Sequence, residues 1–133
     1  MKRPNAETLS IIKRDADREI AVAQLTLGNI YFTGKGLACD YLKAFDWYRR
    51  AAENNNAKAQ AKLGRLYWAG KGCAKDIALA YAWLSIASVN GYRPPMHRIA
   101  SFLVKHSLLD SELARAEDFI NLRLRNRKNP AAQ

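Results

Sequence analysis

A block of this sequence recurs at a fixed offset of 36 residues. Residues 23–36 return as residues 59–72, with the same alanine, glutamine, leucine, tyrosine and glycine positions. The second halves of the two blocks agree as well, because Trp47 returns as Trp83. A period between about 20 and 50 residues is typical of a solenoid, in which one supersecondary unit stacks on the next. The repeat therefore restricts the chain to a stacked-repeat architecture.

The apolar spacing inside each block is helical. Ala59, Leu63, Leu66 and Tyr67 follow one another at separations of four, three and one, which places them on one stripe of an amphipathic helix. The second half of each block obeys the same rule around its tryptophan. Each repeat is therefore predicted to form helix A, a turn and helix B, in an all-α fold.

Glycine and aspartate mark the predicted helix ends. Residues 34–36 and 70–72 read Gly-Lys-Gly, which suits the C-terminal end of helix A because glycine adopts the left-handed conformation that closes a helix. Asp40 and Asp76 precede helix B and are predicted to be its N-caps. These glycines follow a helix and not a strand, which argues against a phosphate-binding loop.

Gly28 and Gly64 are predicted inside helix A, where glycine costs about 1 kcal/mol relative to alanine. We explain them by close helix packing, in which each glycine makes room for a bulky neighbour. That neighbour is predicted to be a Trp or Tyr of helix B.

The same register extends weakly in both directions, which predicts a lone helix over about 6–16, a helix A over 95–106 and a final helix over 113–125. Degenerate ends on a regular middle are typical of solenoid caps. We therefore predict about seven helices in a single domain, 1–133. Its parts are an N-terminal cap (1–22), two repeats (23–58 and 59–94), a degenerate third unit (95–126) and a basic tail (127–133).

Charge and composition limit the partners. The net charge is +10, and no acidic residue occurs between 54 and 75, where five basic residues lie. This basic bias is predicted to attract acidic partners. The chain lacks both an apolar run long enough to span a bilayer and the apolar part of a signal peptide, so we expect a cytoplasmic protein. Cys39 and Cys73 are expected to stay reduced.

The repeated pattern, A-Q-x-x-L-G-x-x-Y-x-x-G-x-G followed by D-x-x-x-A-x-x-W, resembles the Sel-one-like repeat family, which is related to tetratricopeptide repeats. The resemblance covers residues 23–87 most clearly. It implies a right-handed α/α superhelix with helix A on the concave side, and an adaptor that binds other proteins without chemistry of its own. The family usually places a glycine between repeats, where this chain has asparagines at 54–56.

The side of helix A that faces away from the predicted core is the expected binding surface. It combines aromatic and basic residues, which dominate interface hot spots. The predicted partner-binding residues are Thr26, Asn29, Phe32, Lys62, Arg65, Trp68, Arg98, Ser101 and Lys105. The helical periodicity that selects these residues also predicts that Leu25, Ala61 and Val104 point outward. We expect the surface to bind an acidic peptide or protein that carries an apolar anchor.

Two other functions remain open at this point. The basic charge and interleaved aromatic residues are also compatible with a nucleic-acid-binding module, and an inhibitor or immunity-type protein that docks on an enzyme would use the same scaffold. We expect no enzymatic activity, no cofactor and no metal, because His97 and His106 lie apart from any cysteine and no nucleophile motif occurs. A monomer is favoured.

Overall fold

A computed structural model describes the chain over residues 3–128, apart from the side chains of 95–99, 103, 127 and 128. Within this range the chain forms helices and turns without a strand. The helices are α1 (Ala6–Asp17), α2 (Ala21–Thr33), α3 (Tyr41–Glu53), α4 (Ala57–Ala69), α5 (Ile77–Val89), α6 (Pro95–His106) and α7 (Asp110–Lys128). The all-α helical repeat solenoid expected from the sequence is confirmed.

Successive helices pack as the repeat predicts. Helices α2 and α3 form the first hairpin, α4 and α5 form the second, and α3 packs on α4 between them. Helix α1 packs on α2, while α5 carries both α6 and α7. Helix α6 matches the predicted range, whereas α7 begins three residues earlier than expected and extends to Lys128.

The predicted ends of helix A and starts of helix B are confirmed. Gly34 and Gly70 are left-handed, with φ of 72° and 68°, and each closes its helix. Asp40 and Asp76 then cap the following helices, because their side chains accept hydrogen bonds from the backbone N–H groups of Lys43 (3.1 Å) and Leu79 (3.0 Å). Each such bond satisfies a donor that the helix itself leaves unpaired.

Equivalent residues shape the turns from one repeat to the next. Asn55 has a φ of 65°, and Gly91, 36 residues later, has a φ of 97°. Asparagine tolerates the left-handed conformation, so Asn55 replaces the family's usual glycine without changing the turn. Glu19, one period earlier, takes the same conformation with a φ of 63°.

Buried glutamines in α2 and α4 join the C-terminal ends of the helices on either side of them. Gln60 is 2% exposed, donates from Nε2 to the Ala52 carbonyl at 3.2 Å and accepts from Asn90 Nδ2 at 2.9 Å. Gln24 repeats the arrangement with the Ala16 carbonyl and Asn54. A buried amide needs such partners, so the conserved spacing of the two glutamines serves to connect the units.

The close approach predicted for the glycines inside helix A is confirmed at Gly28 and corrected at Gly64. A Cβ at Gly28 would lie 2.6 Å from Cδ1 of Tyr48. At Gly64 the nearest atoms belong to Leu84 and the Ala80 carbonyl, both at 3.0 Å, and not to a Trp or Tyr. The two neighbours occupy equivalent positions, because Leu84 follows Tyr48 by one period.

The core fills the spaces between the helix pairs and continues under α7. Trp83 is 3% exposed and meets the ring of Phe119 at a centroid distance of 5.6 Å. Arg115 pairs with Asp76 at 3.3 Å near the start of α7, and an ion pair joins Arg123 to α3 further along it. Helix α7 is thereby fixed along α5 as the helix B of the third unit.

The two cysteines are free thiols. Cys73 is partly buried and packs against the edge of the core. Burial raises the pKa of this thiol, with a further increase from the nearby carboxylate of Asp76. Cys39 is exposed.

Candidate functional site: the helix-A face

The predicted binding residues belong to α2, α4 and α6, and we call the surface that these helices were predicted to present to a partner the helix-A face. Helix α4 contributes its basic part. Lys58 and Arg65 are exposed, and Lys62 is half-buried between them on the same side of the helix. The spacing explains this arrangement, since residues separated by three or four positions are neighbours on a helix surface.

In the described part of the chain, these three cations have no acidic counterpart. Among the described residues, no carboxylate lies within ion-pair distance of Lys58, Lys62 or Arg65. Burial lowers the pKa of Lys62, and the positive charges of Arg65 and Lys58 lower it further. The nearest π system is the ring of Tyr48, whose centroid is 5.9 Å from Nζ of Lys62. The centre of α4 therefore carries uncompensated positive charge.

Trp68 lies beside this charge, on the flank of α4 that faces α6. Its side chain is 39% exposed, and Nζ of Lys75 lies 5.3 Å from its ring. A cavity of about 130 Å³ opens next to it. The described residues that line the cavity are Arg65, Trp68, Leu84, Ala100 and Val104.

The predicted residues on α2 are largely engaged in the scaffold. The Thr26 hydroxyl donates to the Val22 carbonyl at 2.8 Å, and Oδ1 of Asn29 accepts from the Tyr48 hydroxyl at 2.6 Å. Phe32 packs against the core, with its ring centroid 5.3 Å from that of Tyr41. Lys71 covers this pair, because its Nζ lies 5.6 Å from the Phe32 ring and 5.2 Å from the Tyr41 ring.

The predicted residues on α6 differ in their surroundings. Lys105 is exposed, as expected. The hydroxyl oxygen of Ser101 is buried, and no described residue forms a hydrogen bond with it. The side chain of Arg98 lies outside the described residues. Phe102, which the sequence did not single out, is 61% exposed and stacks on His106 at a centroid distance of 4.2 Å.

Three residues expected to point outward are buried. Ala61 is 3% exposed and Val104 is 2% exposed, because both pack in the cluster where α6 meets α4 and α5. Leu25 belongs to the main core together with Tyr48 and Leu63. Neighbouring helices cover both flanks of helix A, so the face available to a partner is narrower than one helix suggests.

Sequence reasoning also missed three lysines that border the face. Lys58 stands four residues before Lys62 and could have been found by extending the helical spacing one turn back, but the predicted repeat boundary places it at the end of the first repeat. Lys71 and Lys75 lie in the turn after α4, where helical periodicity does not predict the direction of a side chain. Their positions over the rings of Phe32, Tyr41 and Trp68 depend on how the turn folds back, which only the tertiary structure reveals.

Two other searches of the described residues were negative. They contain no cluster of three or more His, Cys, Asp or Glu side chains able to hold a metal ion. No helix in this part of the chain has the length and apolar character needed to cross a membrane.

Comparison with known proteins identifies the repeat. The family model of the Sel1 repeat matches residues 21–56 and again residues 57–92, which together make up more than half of the chain. The chain belongs to the Sel1 repeat family. Sel1 repeats generally form non-catalytic scaffolds that mediate protein–protein interactions.

Solved structures of Sel1 repeat proteins resemble this one. A protective antigen present in uropathogenic Escherichia coli strains, with an SLR fold, matches 85% of this chain at 30% identity and a TM-score of 0.80. A Sel1 repeat protein from Oxalobacter formigenes matches 64% of this chain at 35% identity and a TM-score of 0.63. The matches span only 24% and 35% of those longer chains. Among curated proteins, none matches this chain significantly.

Proposed function

We propose that this Sel1 repeat protein is an adaptor that binds an acidic peptide or acidic protein surface through its helix-A face, centred on α4. The observation that carries the proposal is the group of three cations, Lys58, Lys62 and Arg65, without an acidic residue beside it.

These three neighbouring positive charges destabilise the protein when no partner is bound. Like charges three or four residues apart on a helix destabilise it by about 0.2–0.5 kcal/mol per pair, and Lys62 belongs to two such pairs. Burial and, to a lesser extent, the charges of Arg65 and Lys58 lower the pKa of Lys62, so the folded state disfavours its charged form. Carboxylates of a partner would relieve both effects, which favours an anionic ligand over a neutral one.

The test is charge reversal at the centre of the face. The Lys62→Glu, Arg65→Glu double variant is compared with Lys13→Glu, Arg18→Glu, which makes the same change in net charge on two exposed residues, Lys13 in α1 and Arg18 directly after it. Fluorescence anisotropy measures the affinity for labelled peptides with four Asp or Glu residues around one leucine. We expect the α4 variant to lose at least about ten-fold in affinity, and the α1 variant to lose much less.

Competition with single-stranded RNA of equal charge separates this function from nucleic-acid binding. An adaptor is expected to prefer the peptide at physiological salt, where non-specific phosphate contacts weaken steeply. Equal losses in the two double variants, or displacement of the peptide by RNA, would contradict the proposal.

A further inference from the structure

The cavity beside Trp68 lies where the two repeats differ in side-chain size. In the first repeat, the equivalent aromatic residue is Phe32, whose ring meets Tyr41 at 5.3 Å and Tyr48 at 6.5 Å. In the second repeat, the residues one period after these tyrosines are Ile77 and Leu84. Leu84 lines the cavity together with Trp68, so an aliphatic side chain stands there where Phe32 meets the ring of Tyr48.

Two described residues of α6 that line the cavity have small side chains. Ala100 and Val104 line it, opposite Leu84 and Trp68. Arg65 is the single charged residue among the described lining residues. At about 130 Å³ the cavity is close in size to apolar protein cavities of about 150 Å³ that bind benzene or xenon. Its chemistry and size therefore suit one uncharged, apolar side chain.

Positive charge surrounds the cavity on two sides. Along α4, Arg65 lies at the cavity, Lys62 about one turn away and Lys58 about 10 Å away, at a rise of 1.5 Å per residue. On the other side, Lys75 lies over the outer part of Trp68. A peptide that places an apolar side chain in the cavity would need negative charge close by. In an extended peptide, at about 3.3 Å per residue, 10 Å corresponds to about three residues.

We propose that the cavity between α4 and α6 binds a leucine-sized aliphatic side chain of the partner, and that carboxylates within about three residues of it contact Arg65, Lys62 and Lys58. This inference rests on the proposed acidic-peptide function and specifies its ligand. It places the partner's apolar side chain next to Trp68 and not at Phe32, because Tyr41 and Lys71 cover Phe32.

Two sets of reagents test the proposal. The peptides keep four acidic residues and carry Leu, Ala or Trp at the central position. The protein variants are Ala100→Leu, which fills the cavity, and Ala114→Leu, the same substitution at an exposed alanine of α7. Circular dichroism checks that each variant keeps its helix content, and anisotropy measures each affinity.

We expect the wild-type protein to bind the Leu peptide at least about ten-fold more tightly than the Ala peptide, as burial of an aliphatic side chain predicts. The Trp peptide should bind no better than the Ala peptide. The Ala100→Leu variant should bind the Leu peptide as weakly as the wild type binds the Ala peptide, while Ala114→Leu should behave as the wild type.

The possible failures are distinguishable. If the peptides bind and charge reversal on α4 weakens them, but the central residue and Ala100→Leu make no difference, the cavity proposal is wrong and the adaptor function stands. If no acidic peptide binds, both proposals are wrong. If Ala100→Leu weakens the Ala peptide as much as the Leu peptide, the substitution acts through the fold and the cavity proposal is also rejected.

Discussion

Replacing Gly28 by alanine should destabilise the protein through a single contact between α2 and α3. The new Cβ would lie 2.6 Å from Cδ1 and 2.7 Å from Cε1 of Tyr48, whereas carbon atoms in contact normally stay about 3.5–4.0 Å apart. Tyr48 cannot simply turn away, because it is 2% exposed and its hydroxyl is bound to Asn29 at 2.6 Å. Either the ring moves by about 1 Å or the helices separate.

Three contributions set the size of the effect. Overpacking of a well-filled core costs about 1–3 kcal/mol, and loss of the Tyr48–Asn29 hydrogen bond adds about 1 kcal/mol. Alanine returns about 1 kcal/mol of helix propensity. We therefore expect Gly28→Ala to lower the free energy of unfolding by about 1–3 kcal/mol, with a fall in Tm of about 4 °C for each kcal/mol.

A double-mutant cycle measures this contact by urea denaturation, followed by circular dichroism. The second substitution is Tyr48→Leu, since Leu84 is the natural residue at the equivalent position next to Gly64. The smaller side chain should accept the new methyl group, so the double variant should be more stable than the sum of the single losses by about 1 kcal/mol or more. Additive losses would refute the reasoning, because they would show that Gly28 and Tyr48 do not act through one contact.

Two further measurements concern the helix caps and the turn before α2. Asp40→Ala removes an N-cap worth about 1 kcal/mol of unfolding free energy. Asp76→Ala should cost a few tenths of a kcal/mol more, because Asp76 also pairs with Arg115 at 3.3 Å. Urea denaturation should show no such difference in an Arg115→Ala background, and a difference that persists there would contradict the role of the ion pair. Hydrogen bonds from Gln24 and Asn54 lower the pKa of Glu19 below its usual value of 4.5. Since the folded pKa is the lower one, Glu19 stabilises the protein above the unfolded pKa and loses this effect as the pH falls through the folded pKa. Asn54→Ala should therefore shift the Glu19 midpoint in an NMR titration toward 4.5, and an unchanged midpoint would mean that Asn54 has no part in the shift.

Most of the helix boundaries could be predicted because they depend on local chemistry. Gly34 and Asp40 act through their own backbone and the next few residues, so their roles are readable from one repeat and are verified by its copy. The range of α6 follows from the same period, and Pro94 and Pro95 mark its start. The start of α7 was less predictable, since the turn before it has lost both glycines.

Side-chain environments at the borders of the helix-A face could not be predicted in the same way. Leu25, Ala61 and Val104 were assigned outward from the turn of a single helix, yet each is covered by a neighbouring one. The helix-B residue predicted to pack against Gly64 is a Trp or Tyr, and Leu84 occupies this position. Both errors arise because burial depends on the distance and rotation between helices, which no single-helix pattern contains.

The sequence by itself determined the repeating helix pair, its number of clear copies and the residues that repeat for structural reasons. Left-handed turns, helix caps and close helix contacts each require a specific residue type at a specific spacing. The tertiary structure alone decided which outward residues remain available. Packing of Phe32 under Tyr41 and Lys71 removes one predicted anchor, while the smaller residues around Trp68 open a cavity at the equivalent place. These outcomes depend on volumes contributed by three or four helices at once, and such volumes exist only after the chain has folded.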